Sequence, residues 1–318
     1  MNNLSNDKFS PINSLKLFVL KEHFDNFVKL YRNKKLPKII LLTGEKGIGK
    51  FTLIFHFINY VLSINSQNTY NKEELLINES NDTYKRILSN VEQCFNYIRN
   101  EKPNPANIEN IRELKKKFYQ SSLNEKPRFT ILDDVELMNL NAANALLKLI
   151  EEPSVYDYYI LINNKKHNMI ETLRSRSIEI KIFLDSEDKK NIFNSLNNNF
   201  KIKSDLLIPF VHFTSPGTLI RFSEIFNDLK IEKEQSIHDT ILKTLEYFKK
   251  NKDLLYLDFL SFLIDIKISE LIKDQKRNSL ETLEIKNKLN ILFDQYRKFN
   301  LNIDSFFNQL KLYASYVR

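Results

Sequence analysis

The sequence predicts an α/β domain with a parallel sheet over residues 1–183, followed by a remainder that is helical throughout. Three observations predict this. Short apolar runs at "KIILLTG" (38–44), "RFTILDD" (128–134), "DYYILIN" (157–163) and "IEIKIF" (178–183) have the form of buried parallel strands. Stretches of helical spacing separate them, and that alternation covers a parallel sheet on both faces. Beyond residue 184 the strand signal stops.

The Asn-rich first ten residues are expected to fray. The first strand, 38–44, runs into a glycine loop and then into "KFTLIFHFINYVL" (50–62), whose spacing suits a helix. "EELLINE" (73–79) reads as a second, weaker strand. In "ANIENIRELKKKFY" (106–119) Ile108, Ile111, Leu114 and Phe118 share one helical face. Lys115, Lys116 and Lys117 lie mostly opposite, as a solvated surface would. "NAANALLKLIEEP" (141–153) is a helix with an Ala143, Leu146, Leu147, Ile150 stripe, stopped by Pro153. Residues 186–230 read as short helices around "TSPGT", and 233–317 as longer amphipathic helices.

No run of 18 apolar residues is present, so no membrane span is expected. The amino terminus lacks a basic-then-apolar signal, and Cys94 is the single cysteine, so a reducing cytoplasm is the expected setting. The net charge of +8 fits contact with nucleic acid, and fits an AT-biased codon usage equally well.

Glycine usage is more informative. An average chain has about 7% glycine, whereas this one has four residues in all. Gly44, Gly47 and Gly49 fall within "LLTGEKGIGKFTL"; the fourth is Gly217. Glycine permits positive φ and close approach of an anion to backbone amides, whereas a bare strand-to-helix turn needs one such residue. With Lys50 the loop fits the phosphate-binding pattern G-x-x-x-x-G-K-[ST], except that Phe51 stands where the Mg²⁺-holding hydroxyl belongs.

A nucleotide-hydrolysing site of this kind needs a lysine on the phosphates, a strand-end aspartate on the metal, a group that directs the attacking water and an arginine on the leaving charge. Lys50 is present, and Asp133 ends an apolar strand. Asp134 takes the position of the usual glutamate base, one methylene short. Asn163 or Asn164 ends the next strand, and Arg174 and Arg176 lie in the loop "LRSRS".

The string "ILDDVELMNLNAANALLKLIEEPS", followed by "TLRSRS", resembles bacterial clamp-loader subunits of the AAA+ class. "NAANALLK" and "GIGKFTL" resemble most the delta-prime family of DNA polymerase III subunits. The resemblance implies an AAA+ ATPase-like domain (1–183), an all-α lid (184–231) and an all-α collar (232–318) in a hetero-pentameric ring. Its implied partners are the motor subunits, the delta subunit, the sliding clamp indirectly, and primed DNA. Arg176, in Ser175-Arg176-Ser177, would be the finger that enters a neighbouring subunit's ATP site, with Ser177 in place of the usual cysteine.

Gly44, Gly47, Gly49, Lys50, Thr52, Asp133 and Asn164 would line the chain's own nucleotide site. ATP or ADP is expected there without efficient hydrolysis. Phe51 puts Mg²⁺ in doubt, Asp134 is a degenerate base, and Arg221 in "SPGTLIR" comes about three residues late for a lid arginine. Many relatives carry a four-cysteine zinc module after the first helix; residues 62–73 here have no cysteine, so zinc is not expected. The implied role is a rigid stator. The alternative, an ATP-hydrolysing motor, draws on Lys50 and Asp133.

Overall fold

The computed structural model describes residues 9–100, 108–120, 125–165, 169–200, 210–232, 235–273, 279–299 and 302–316. The chain forms two compact units, one of Met1–Phe200 with Thr214–Thr218, the other of Lys201–Phe213 with Leu219–Arg318.

The first unit is built on five parallel strands: β1 (Ile39–Thr43), β2 (Phe95–Arg99), β3 (Arg128–Asp133), β4 (Asp157–Asn163) and β5 (Ile178–Lys181), in the order β2-β3-β4-β1-β5. Alternation along each strand feeds two cores. Ile40, Leu42, Phe129, Ile131, Ile160 and Ile162 face one side, where α1 (Lys21–Arg32) and α2 (Lys50–Ser63) supply Phe24, Phe27, Phe55 and Phe57. Leu41, Leu132, Tyr159 and Leu161 face the other, against α4 (Ile108–Gln120) and α5 (Leu140–Ile150). Both faces of β1, β3 and β4 are therefore apolar, which is why these strands read as continuous hydrophobic runs. Helix α3 (Asp82–Leu88) leads towards β2.

Caps fix the helix starts. Asn139 Oδ1 accepts from the Ala142 amide at α5, and Asn81 does the same for Tyr84 at α3. The predicted apolar stripe of α5 is buried in full. On α4, Ile111 and Leu114 are buried while Lys115 and Lys116 are exposed. The side chains of Ile108, Lys117 and Phe118 lie outside the described residues, as does the amino-terminal stretch 1–8 expected to fray.

Two expectations are corrected. Residues 73–79 are not a sheet strand: isolated bridges join Leu76 to Asn71 and to Lys16 around a turn. The strand in that part of the chain is β2, which pairs with β3 at the sheet edge. The segment "LRSRS" is loop only in its second part: α6 spans Glu171–Ser175 and takes in Arg174, while Arg176 follows in a turn as the carboxyl-terminal cap.

Helices α7 (Ser186–Phe200) and α8 (Pro216–Asp228) follow the sheet. The second unit takes the rest of α8 and continues with α9 (Ile237–Asn251), α10 (Leu254–Lys273), α11 (Ser279–Phe299) and α12 (Ile303–Tyr316). Buried residues on α10 include Tyr256, Leu257, Phe259, Leu260, Leu263, Ile264, Ile266 and Ile268, as expected of a helix enclosed on most sides. Phe248 of α9 meets Tyr296 of α11 and Phe306 of α12 edge-on. Among the described residues no helix is long and apolar enough to cross a membrane.

Candidate nucleotide site

Strand order places the site. In an open parallel sheet the carboxyl ends of the strands flank a crevice where the order reverses. Here Thr43 of β1, Asp133 of β3 and Asn163 of β4 end together, with Thr43 registered on Asn163. Gly44 follows β1, and its amide donates to Asn163 O at 3.2 Å. The loop Gly44–Gly49 then turns into α2, with Gly47 at φ 85° and Gly49 at φ 92° as the amino-terminal cap. A helix amino terminus favours an anion.

The loop glycines also have reasons within the chain. A Cβ on Gly44 would lie 2.5 Å from Ile182 O, and one on Gly47 would lie 2.3 Å from Ser215 Oγ. Gly217, whose role the sequence left open, packs on Gly47: its added Cβ would come within 2.7 Å of Gly47 O. Ser215 Oγ donates to Lys46 O at 2.6 Å, and the Gly217 amide donates to Gly47 O at 3.0 Å. All four glycines thus serve one close-packed junction or turn.

Lys50 is buried and donates to the loop carbonyls of Gly44 (2.8 Å) and Glu45 (2.6 Å). Burial pulls its ammonium down to about 8, against the attraction of Asp133, Glu136, Asp134 and Glu45. Thr52, on the first turn of α2, is half-buried.

The acids are held by neighbours. Asp133 Oδ1 accepts from the Asp134 amide at 2.9 Å and from Asn164 Nδ2 at 3.1 Å; Oδ2 accepts from Tyr97 Oη at 3.2 Å. Loss of solvent and the Asp134 charge push the Asp133 carboxyl up, while Arg99 and Lys46 oppose this. Asp134 is buried at φ 52°, with Oδ1 accepting from Asn164 Nδ2 at 2.8 Å. Its Oδ2 lies 3.5 Å from Lys46 Nζ and 3.7 Å from Arg99 Nε. Glu136 accepts from the Asn164 amide at 3.1 Å. Of the two candidate asparagines, Asn164 is the one on the acids, whereas Asn163 Oδ1 accepts from the Lys165 amide.

The predicted residues Gly44, Gly47, Gly49, Lys50, Asp133, Asp134 and Asn164 therefore gather at one end of the sheet. Arg176 lies apart from them on the surface, 43% exposed, with Nη2 3.4 Å from Glu151 and Nη1 donating to Thr172 O at 3.3 Å. Arg174 pairs with Glu179, and Ser177 Oγ donates to Leu173 O and Arg174 O. Arg221 belongs to the second unit.

Four residues of the site were missed from sequence: Lys46, Tyr97, Arg99 and Glu136. Tyr97 and Arg99 come from β2, and the register Arg99↔Asp133 brings that strand's end to the acids. No local signal marks them, since "FNYIR" is neither a continuous apolar run nor a strict alternation.

The Mg²⁺ that accompanies a nucleotide in this kind of site meets a poor ligand set in these residues. Phe51 is buried, stacked on Phe55 at 5.8 Å and edge-on to Tyr97 at 4.9 Å, so an aromatic group fills the hydroxyl ligand's position. Both oxygens of Asp133 already accept hydrogen bonds from the protein. Mg²⁺ requires a near-octahedral set of oxygens.

The family model described as "DNA polymerase III, delta subunit" matches residues 19–185. The chain is 25% identical to the DNA polymerase III subunit delta' of Buchnera aphidicola subsp. Acyrthosiphon pisum over 76% of this chain and 74% of the relative. It is also 25% identical to the delta' subunit of the Schizaphis graminum subspecies, over 80% and 77% of the two chains. Among solved structures, a DNA polymerase III gamma-subunit-related protein of Thermotoga maritima superposes with a TM-score of 0.50 at 15% identity, covering 92% of this chain and 98% of that one. This last likeness concerns the fold.

Proposed function

The chain belongs to the DNA polymerase III delta-subunit family, as a clamp-loader-like subunit of DNA replication, and from that premise we propose that it is a stator in the loader. It lends Arg176 to a neighbouring motor subunit and does not hydrolyse nucleotide efficiently at its own loop. The proposed assembly is the hetero-pentamer with motor and delta subunits, acting on the sliding clamp at primed DNA.

The observation that carries this reading is a contrast in how charges are held. At the loop, Lys46 and Arg99 pair with Asp134, and Lys50 is held on the carbonyls of Gly44 and Glu45 with Asp133, Asp134 and Glu136 attracting its charge. Arg176 instead stands at the surface, and its ion pair with Glu151 joins two side chains 43% and 50% exposed. Such pairs contribute about 0–1 kcal/mol, so the guanidinium leaves at little cost. In a neighbour's site it would offset the charge that develops on a departing γ-phosphate.

A motor role draws support from Lys50 and Asp133, and is opposed by Phe51 and by the hydrogen bonds that occupy Asp133. Nucleotide binding without turnover is compatible with the glycine loop, and no zinc is part of the proposal. The test is a loader reconstituted with clamp and primed DNA, with Arg176→Ala in this subunit. A fall of about 10³-fold or more in turnover at the neighbouring site is expected. Unchanged turnover would exclude the finger role.

A further inference from the structure

The lost hydroxyl at Phe51 is visible in the sequence, but the structure adds a residue that nothing in the loop pattern marks. Strand β2 registers Tyr97 on Ile131 and Arg99 on Asp133, so the Tyr97 side chain reaches the carboxyl end of β3. Its ring lies edge-on to Phe51 at 4.9 Å, and its hydroxyl donates to Asp133 Oδ2 at 3.2 Å. The other Asp133 oxygen accepts from the Asn164 amide group and from the Asp134 backbone.

We propose that Tyr97 is a second lock on the site: its hydroxyl holds the Asp133 carboxylate that a divalent cation would need, so restoring the hydroxyl at position 51 does not restore metal binding. The inference rests on the non-hydrolytic reading of this site. A cation that used Asp133 would have to displace a hydrogen bond to a charged group, in addition to shedding its own water. A phenol is protonated at neutral pH, so Tyr97 meets Asp133 as a proton donor. The loop sequence carries one lesion, whereas the folded site carries two that act on different ligands of the same ion.

The test uses the full chain as wild type, Phe51→Thr, and Phe51→Thr/Tyr97→Phe, with Mn²⁺ binding read by electron paramagnetic resonance in the presence of a non-hydrolysable ATP analogue. The double variant is expected to bind Mn²⁺ at least about tenfold more tightly than Phe51→Thr, the scale of one hydrogen bond to a charged group. Equal binding by the two, or no binding by either, overturns the role of Tyr97. Turnover of Mg²⁺-ATP by the wild-type chain is a separate result and sinks the non-hydrolytic reading itself.

If Phe51→Thr does not fold, the single Tyr97→Phe variant keeps the aromatic packing and removes the hydroxyl alone. Mn²⁺ should then broaden the Asn164 side-chain amide resonances at about tenfold lower concentration than in wild type. Identical broadening in both proteins overturns the proposal.

Discussion

Gly217→Ala separates two explanations of the glycine pattern. The new Cβ would lie 2.7 Å from Gly47 O, 3.1 Å from Gly47 Cα and 3.3 Å from Gly47 C. Those atoms are backbone, so no rotamer change relieves the overlap. Relief requires the first turn of α8 to move from the loop, weakening the 3.0 Å bond from the Gly217 amide to Gly47 O. Overpacking of this kind costs about 1–3 kcal/mol, and the weakened bond adds about 1 kcal/mol. Against this, alanine in place of helical glycine returns up to about 1 kcal/mol. The net expectation is a loss of about 1–3 kcal/mol. At about 2–4 °C per kcal/mol for a unit of this size, the melting midpoint of the first unit falls by roughly 2–12 °C. Calorimetry measures the midpoint, and hydrogen exchange of the Lys46–Lys50 amides locates the change. A rise in the midpoint, with loop exchange unchanged, would refute the reasoning, because helix propensity alone would then decide the outcome.

Other perturbations give equally definite expectations. Arg128 and Asp157 form a buried pair at 2.6 Å. Arg128→Met should cost about 3–5 kcal/mol in urea unfolding, and Arg128→Met/Asp157→Leu should recover most of it. His56 is buried between Tyr70 Oη and Ser14 O, and burial lowers its imidazole to about 4 from an unperturbed 6.5. Between those values the unfolded chain binds a proton that the native one refuses. The stability present above pH 6.5 is therefore lost as pH falls towards 4, by about 3 kcal/mol. Urea midpoints at pH 7 and 4.5 measure this, and a His56→Gln background should flatten the dependence. Arg176→Ala should lower the melting temperature by no more than about 4 °C, since its surface pair contributes about 0–1 kcal/mol; a larger drop would mean that loader defects in this variant report folding.

Much of the sheet was legible because β1, β3 and β4 are buried on both faces and carry continuous apolar runs. The acid pair and the glycine loop were legible for a different reason: each follows such a run directly. Strand β2 was not. At the sheet edge its residues Tyr97, Ile98 and Arg99 are half-buried and mix polar with apolar types, so "FNYIR" has no apolar run to mark it. The more hydrophobic "ELLIN" nearby forms a bridged turn instead, with Leu75 and Ile77 buried. Losing β2 meant losing Tyr97 and Arg99, whose meeting with Asp133 and Asp134 depends on strand register and on nothing local. Lys46 and Glu136 were hidden similarly, since their partners lie on other elements. Glycine scarcity pointed to the right place for an incomplete reason: phosphate approach was inferred, and the contacts of Gly44 with Ile182 and of Gly47 with Ser215 and Gly217 required the fold.

The central claim is that this loop is not a hydrolytic centre, and turnover by the isolated chain tests it most directly. Mg²⁺-ATP hydrolysis by wild type should equal that of Lys50→Ala, both at the level of a blank without protein. Turnover above the blank that disappears with Lys50→Ala would contradict the account and make the chain a motor.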